Sequence, residues 1–234
     1  MKRKIAAAAL CILICLVSGT AVWMNARADT PVVYNAEDIY AKSGQTVLYI
    51  RILWEDGSLK ATGSGVILSP EGLAATAYHV VKEAERIEGT LRDGRVVSPI
   101  EVVGYDELTD AALIRLPALP GGNGEGYDYV PVRQTAVLYG EKVFAIGYPM
   151  ANTPIITEGI VNSPSAEING RSRILTSAQI ASGMSGGPVL DRFGRVAGIV
   201  SGSLRTMNNI HLVIGMDDVR ALPGAEAIRR LDAE

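Results

Sequence analysis

The stretch that decides the fold is Thr46–Leu68, TVLYIRILWEDGSLKATGSGVIL. Thr46–Trp54 is β-branched and aromatic, the composition of a strand, and Asp56-Gly57 supplies the residues that turn a chain back on itself. Gly63-Ser64-Gly65-Val66-Ile67-Leu68 then begins the returning strand. The same pattern of short apolar run and turn signal continues outward. It predicts strands at Leu73–Ala77, Ile87–Leu91, Val96–Val103, Ala111–Arg115, Lys142–Ile146, Thr157–Asn162, Ile174–Ser177, Pro188–Leu190, Val196–Ser201 and His211–Ile214. Asp93-Gly94, Pro120-Gly121-Gly122, Asn169-Gly170 and Phe193-Gly194 punctuate them. The expectation is an all-β domain, barrel or sandwich, with a short helix at Glu37–Lys42 and a C-terminal one at Asp217–Leu222, resuming at Ala225–Leu231. Gly121–Gly126 is expected to be the most flexible internal segment.

Composition agrees. Of 234 residues 48% are hydrophobic and 20% charged, enough for a packed core, and 25 Gly with 11 Pro suit a turn-rich chain. One large domain fits this length, and no internal repeat is visible.

The first 28 residues differ in kind. Lys2, Arg3 and Lys4 precede an uncharged run, Ile5–Met24, and Ala26-Arg27-Ala28 follows with small residues where a signal peptidase reads. This predicts a signal peptide, residues 1–28. The run is also long enough to span a bilayer, so an uncleaved anchor over residues 5–24 is the rival reading and the only membrane contact expected. Either way the remainder, a tether over residues 29–36 and the domain over 37–234, lies outside the cytoplasm. Cys11 and Cys15 both fall in the apolar run, which leaves the domain without disulfides. Removing residues 1–28 takes away four cations and no acid, leaving 18 against 25 and a net charge of about −7. With no basic run, nucleic-acid binding is not expected.

Three segments carry chemistry. Ser182-Gly183-Met184-Ser185-Gly186-Gly187-Pro188 offers a serine on a glycine turn, where backbone N–H groups of Gly183 and Ser185 are placed to hold an oxyanion. Taken alone it also reads as a hairpin turn. His79, in Ala77-Tyr78-His79-Val80, is a candidate general base, and by itself would read as a structural histidine. Asp110 stands at the mouth of Ala111–Arg115, placed to orient an imidazole or merely to cap the preceding loop. Asp106 is its competitor, farther from the apolar run and expected in solvent. No metal-ligand spacing, phosphate loop or dinucleotide fingerprint occurs, so neither a metal nor a cofactor is expected.

Together these segments resemble the trypsin-like serine peptidases of the HtrA/DegP type, over about Ile39–Val219. The resemblance is carried by Gly63–Leu68, Thr76–Val81, Asp93-Gly94-Arg95, Asp110–Ile114, Ala145–Pro149, Glu158–Val161, the serine loop and Gly194–Ser201, in that order. It implies two six-stranded antiparallel β-barrels with a cleft between them, and an exported serine endopeptidase, acting on proteins or peptides in quality control. His79, Asp110 and Ser185 would form its triad, with an oxyanion hole at Gly183 and Ser185. It further implies Gln179 at the base of the pocket for the residue before the cut bond, and Ser201, Gly202 and Ser203 along the substrate backbone. Gln179 carries no charge, so small or medium apolar residues are expected there. The alternative is a catalytically silent module of this fold that binds peptides.

Two departures stand out. Met184 occupies the position where digestive relatives have an Asp that pairs with a new N-terminus, so the serine loop must be ordered by packing or by substrate. Only 15 residues follow Val219, so no C-terminal PDZ domain is expected. His211 reads as a structural strand histidine. Oligomeric state is not legible in the pattern.

Overall fold

A computed structural model describes residues 32–119, 126–151, 153–204 and 206–233. The expected export segment, the start of the tether and most of Gly121–Gly126 lie outside these residues. Helix α1, Ala36–Ser43, opens the fold with Asn35 as its cap. The Asn35 side chain accepts from Asp38 N at 2.9 Å and Asp38 answers onto Asn35 N, a reciprocal box that satisfies two free N–H groups.

The first β-unit comprises β1 (Val47–Leu53), β2 (Leu59–Ile67), β3 (Leu73–Ala77), β4 (Arg86–Thr90), β5 (Val96–Val97), β6 (Glu101–Asp106) and β7 (Ala111–Arg115). They form one antiparallel sheet in the order β5-β4-β1-β2-β3-β7-β6. The outermost strands β5 and β6 are neighbours in sequence, so the sheet is curled and its two edges are joined by three residues. The sequence predicts β5 and β6 as a single strand, Val96–Val103. The structure breaks that strand at Ser98-Pro99-Ile100, where Pro99 brings no N–H to a ladder. Hence this unit is a curled sheet of seven strands and not a closed barrel of six.

The second unit is the closed six-stranded barrel that the sequence leads one to expect, ordered β10-β13-β12-β11-β8-β9. Its strands are β8 (Lys142–Met150), β9 (Thr153–Ile168), β10 (Arg171–Thr176), β11 (Pro188–Asp191), β12 (Val196–Ser203) and β13 (His211–Gly215). Side chains alternate faces along a strand. In β8, Val143 and Ala145 fill this barrel while Phe144 and Ile146 join the larger core shared with the first unit. Val189 and Leu190 in β11, and Val213 and Ile214 in β13, divide in the same way. Both faces are therefore apolar, which is why these strands read as unbroken hydrophobic runs. The two units meet along this seam, with β8 against β1 and β2, and β12 against β3. Two short helices, α3 (Met216–Ala221) and α4 (Glu226–Leu231), follow β13; a one-turn helix, α2 (Tyr78–Val81), follows β3. Among the described residues no helix is long and apolar enough to cross a membrane.

Candidate active site

His79 and Asp110 are brought together by strand register. In the β3–β7 pair Ala77 lies opposite Ala111, so the next rung outward sets Tyr78 beside Asp110. Tyr78 N–H donates to Asp110 O at 2.7 Å. The chain turns into α2 there, and His79 N–H donates to Asp110 Oδ1 at 3.0 Å. His79 Nδ1 lies 3.0 Å from Asp110 Oδ2 and 3.1 Å from Oδ1. Asp110 holds a left-handed backbone, φ +61°, a conformation that a short polar side chain tolerates better than a branched one. Asp106, the competitor, accepts instead from Leu108 N at 2.7 Å and Thr109 N at 3.4 Å, capping its own turn.

The serine loop enters from the second unit. Gly186 N–H donates to Val200 O at 2.7 Å and Val200 N–H to Gly187 O at 2.9 Å, pinning the loop to β12. Met184 is fully buried in the barrel core, and its Sδ accepts from Ala181 N at 3.4 Å. Packing thus helps to order the loop. Gly183 and Gly186 have φ of +92° and +87°, which only glycine adopts without strain. The N–H groups of Gly183 and Ser185 make no hydrogen bond within the described residues.

Ser201 joins the parts. Its hydroxyl donates to Asp110 Oδ2 at 2.6 Å, and its carbonyl accepts from Ser185 Oγ at 3.2 Å. Burial opposes ionisation of Asp110, yet hydrogen bonds from His79 and Ser201, with the charge of the imidazole, outweigh it and hold the carboxyl below the ordinary aspartate value. Ser185 Oγ bonds to this carbonyl and not to the imidazole, and His79 Nε2 has no partner among the described residues. The side chain of His79 is 48% exposed.

Gln179 is exposed, and its amide donates to Asn209 Oδ1 at 3.0 Å. β12 pairs with β11 only as far as Ile199, so on the side away from β13 the chain from Ser201 to Ser203 has no strand partner among the described residues. Ser203 Oγ shares a hydrogen with His211 Nδ1 at 2.8 Å, and His211 is buried. Among the described residues no cluster of three or more His, Asp or Glu is placed to hold a metal. Sequence reasoning assigned Ser201 to substrate backbone and missed its hydroxyl bond to Asp110. Ser64 it took only as part of a motif.

The sequence profile described as Trypsin-like peptidase domain matches residues 63–199, a stretch that takes in His79, Asp110 and Ser185. The chain belongs to the trypsin-like peptidase family. The HtrA/DegP resemblance read from the sequence accords with its relatives. A putative serine protease HhoB of Synechocystis is 36% identical over 148 residues, covering 60% of this chain and 34% of that protein. The serine endoprotease DegS of Escherichia coli is 32% identical over 180 residues, 73% of this chain and 49% of that one. This trypsin-like chain thus spans a third to a half of the length of these curated relatives. Among solved structures, the serine endoprotease from Yersinia pestis superposes with a TM-score of 0.70 at 25% identity, covering 87% of this chain and 68% of that chain.

Proposed function

We propose that this domain hydrolyses peptide bonds of exported proteins through His79, Asp110 and Ser185. The observation that carries the reading is the bracing of Asp110, which accepts from His79 N–H, His79 Nδ1 and Ser201 Oγ at once, with the Ser185 hydroxyl on the carbonyl of the same Ser201. A carboxylate so held fixes the imidazole with Nδ1 protonated and Nε2 free to accept. Ser185 Oγ leaves Ser201 O, passes its proton to His79 Nε2 and bonds to the substrate carbonyl carbon. The carbonyl π pair moves to oxygen, where the N–H groups of Gly183 and Ser185 receive it. Collapse breaks the C–N bond, and the amine leaves with the proton from His79. Water then repeats the sequence on the acyl-enzyme and frees Ser185.

Substrate backbone pairs with Ser201–Ser203 as an added strand, on the side of β12 away from β13. Gln179, uncharged and tied to Asn209, favours a small or medium apolar residue before the cut bond. The basic and apolar N-terminal segment supports export, and a quality-control role outside the cytoplasm fits the family. The bond from Ser185 to Ser201 O in place of the imidazole favours a second reading, a silent peptide-binding module. Labelling with a fluorophosphonate separates the two. Folded wild type should take up the label and Ser185→Ala should not; an unlabelled wild type, or equal labelling of both, leaves the silent module.

A further inference from the structure

The loop that carries Ser185 is held from outside itself. Gly183, at φ +92°, is a hinge that glycine makes soft, so the carbonyl on one side and the N–H on the other need an external partner to keep one orientation. That partner is Ser64, fully buried in β2 of the other unit. Its hydroxyl donates to Gly183 O at 2.8 Å and accepts from Tyr148 N–H at 2.9 Å. Its N–H donates to Ser185 O at 2.8 Å. Its own carbonyl accepts from Thr76 Oγ1 at 2.7 Å, which steadies the serine in turn. The two carbonyls it grips belong to the same two residues whose N–H groups have no partner among the described residues.

We propose that Ser64 is a positioning residue for the oxyanion hole: by holding the carbonyls of Gly183 and Ser185 it fixes the peptide planes that follow these residues, and so restrains the rotations that would swing their own N–H groups away from the developing oxyanion. The proposal rests on the reading of Ser185 as nucleophile. Met184, just before the serine, has no charge with which to brace the loop. A hydroxyl from the neighbouring unit braces it, which ties the shape of the hole to the seam between the units. Without that hydroxyl, Gly183 O and Tyr148 N–H lose a buried partner, and the peptide beside Gly183 gains freedom to turn.

The test is Ser64→Ala in the full chain, beside wild type and Ile52→Val, a trim in the first core on β1, opposite Ala61 and Ile87. Turnover of a cleaved peptide and affinity for the matching peptide trifluoromethyl ketone, whose oxyanion occupies the hole, are measured well below the melting temperature. Ser64→Ala should lower kcat on the order of ten- to a hundredfold with KM within about threefold, and ketone affinity should fall in step with kcat/KM. Ile52→Val should change neither. Should Ser64→Ala prove insoluble, Ser64→Cys, a weaker donor of similar size, should show part of the same loss in kcat. Wild-type turnover in the serine variant, a loss confined to KM, or an equal loss in Ile52→Val overturns the proposal and leaves the peptidase reading standing. A wild type that neither cleaves peptide nor takes up fluorophosphonate overturns both.

Discussion

Ser201 Oγ donates a 2.6 Å hydrogen bond to Asp110 Oδ2 across the seam between the two β-units, from 91 residues away in the chain. Charge-assisted bonds of this kind contribute more than neutral ones, roughly 1.5–3 kcal/mol. Asp110 is nearly buried, so the loss is little screened. Ser201→Ala keeps the carbonyl that Ser185 meets and removes only the brace. The expected result is a kcat about tenfold lower. The stability effect has a definite sign. The bond helps to hold the Asp110 carboxyl below its ordinary value, so its contribution is present above about pH 4 and disappears as pH falls through the folded value. Melting curves from pH 7 to 3 should show the gap between wild type and Ser201→Ala closing below about pH 4. A gap unchanged by pH would place the hydroxyl outside this role.

Asp110→Asn separates geometry from charge. Asn also tolerates the left-handed backbone that Asp110 holds, φ +61°, so the variant should fold and melt close to wild type. Its amide turns a donor toward His79 Nδ1, which favours the tautomer with the proton on the wrong nitrogen. Turnover should fall about 10⁴-fold while the circular dichroism spectrum stays unchanged. Asp110→Ala should fold less well, because alanine has no polar group to compensate the strained backbone.

How far the sequence carried this picture differs from place to place. Leu73–Ala77 and Ala111–Arg115 appear with the bounds that the sequence predicts, since each is a mostly apolar run that opens on turn residues, Glu71-Gly72 before one and Asp110 before the other. Strand β9 runs Thr153–Ile168 where Thr157–Asn162 was expected. Its ends carry Thr153, Pro154, Ser163, Pro164 and Ser165, which do not read as strand; pairing with β8 at one end and β10 at the other makes them strand. The turn of helix bearing His79 is four residues, too short to show a period. The three residues proposed for the triad were legible because each sits in a local pattern. The contacts of Ser64 and Ser201 were not, because a hydrogen bond between residues distant in the chain leaves no local trace.

Two glycines with nearly the same φ should respond differently to alanine. Gly57 has φ +81° and open space around it, so Gly57→Ala meets only backbone strain, about 1–2 kcal/mol. Gly186 has φ +87°, and an added Cβ would fall 2.1 Å from Thr76 Oγ1 and 2.2 Å from Ser64 O. Those atoms belong to the seam itself and cannot retreat together. Gly57→Ala should stay soluble with a melting temperature a few degrees lower. Gly186→Ala should lose the folded state or melt far lower; equal melting of the two would refute the packing described at the seam.

His211 should make stability fall on mild acidification. Burial lowers the pKa of its imidazole, whose Nδ1 is engaged with Ser203 Oγ and whose Nε2 is buried without a partner among the described residues. A histidine in the unfolded chain takes up a proton below about pH 6.5, whereas this one resists it when folded. The unfolded state then binds more protons, so stability declines as pH drops from about 7 toward 5, by at most about 1.4 kcal/mol per pH unit. His211→Gln keeps a polar group beside Ser203 and has nothing to titrate. Denaturant midpoints at pH 7.5 and 5.5 should differ less in His211→Gln than in wild type, with His79 common to both. Equal slopes would mean that His211 gains its proton as readily inside the barrel as in water.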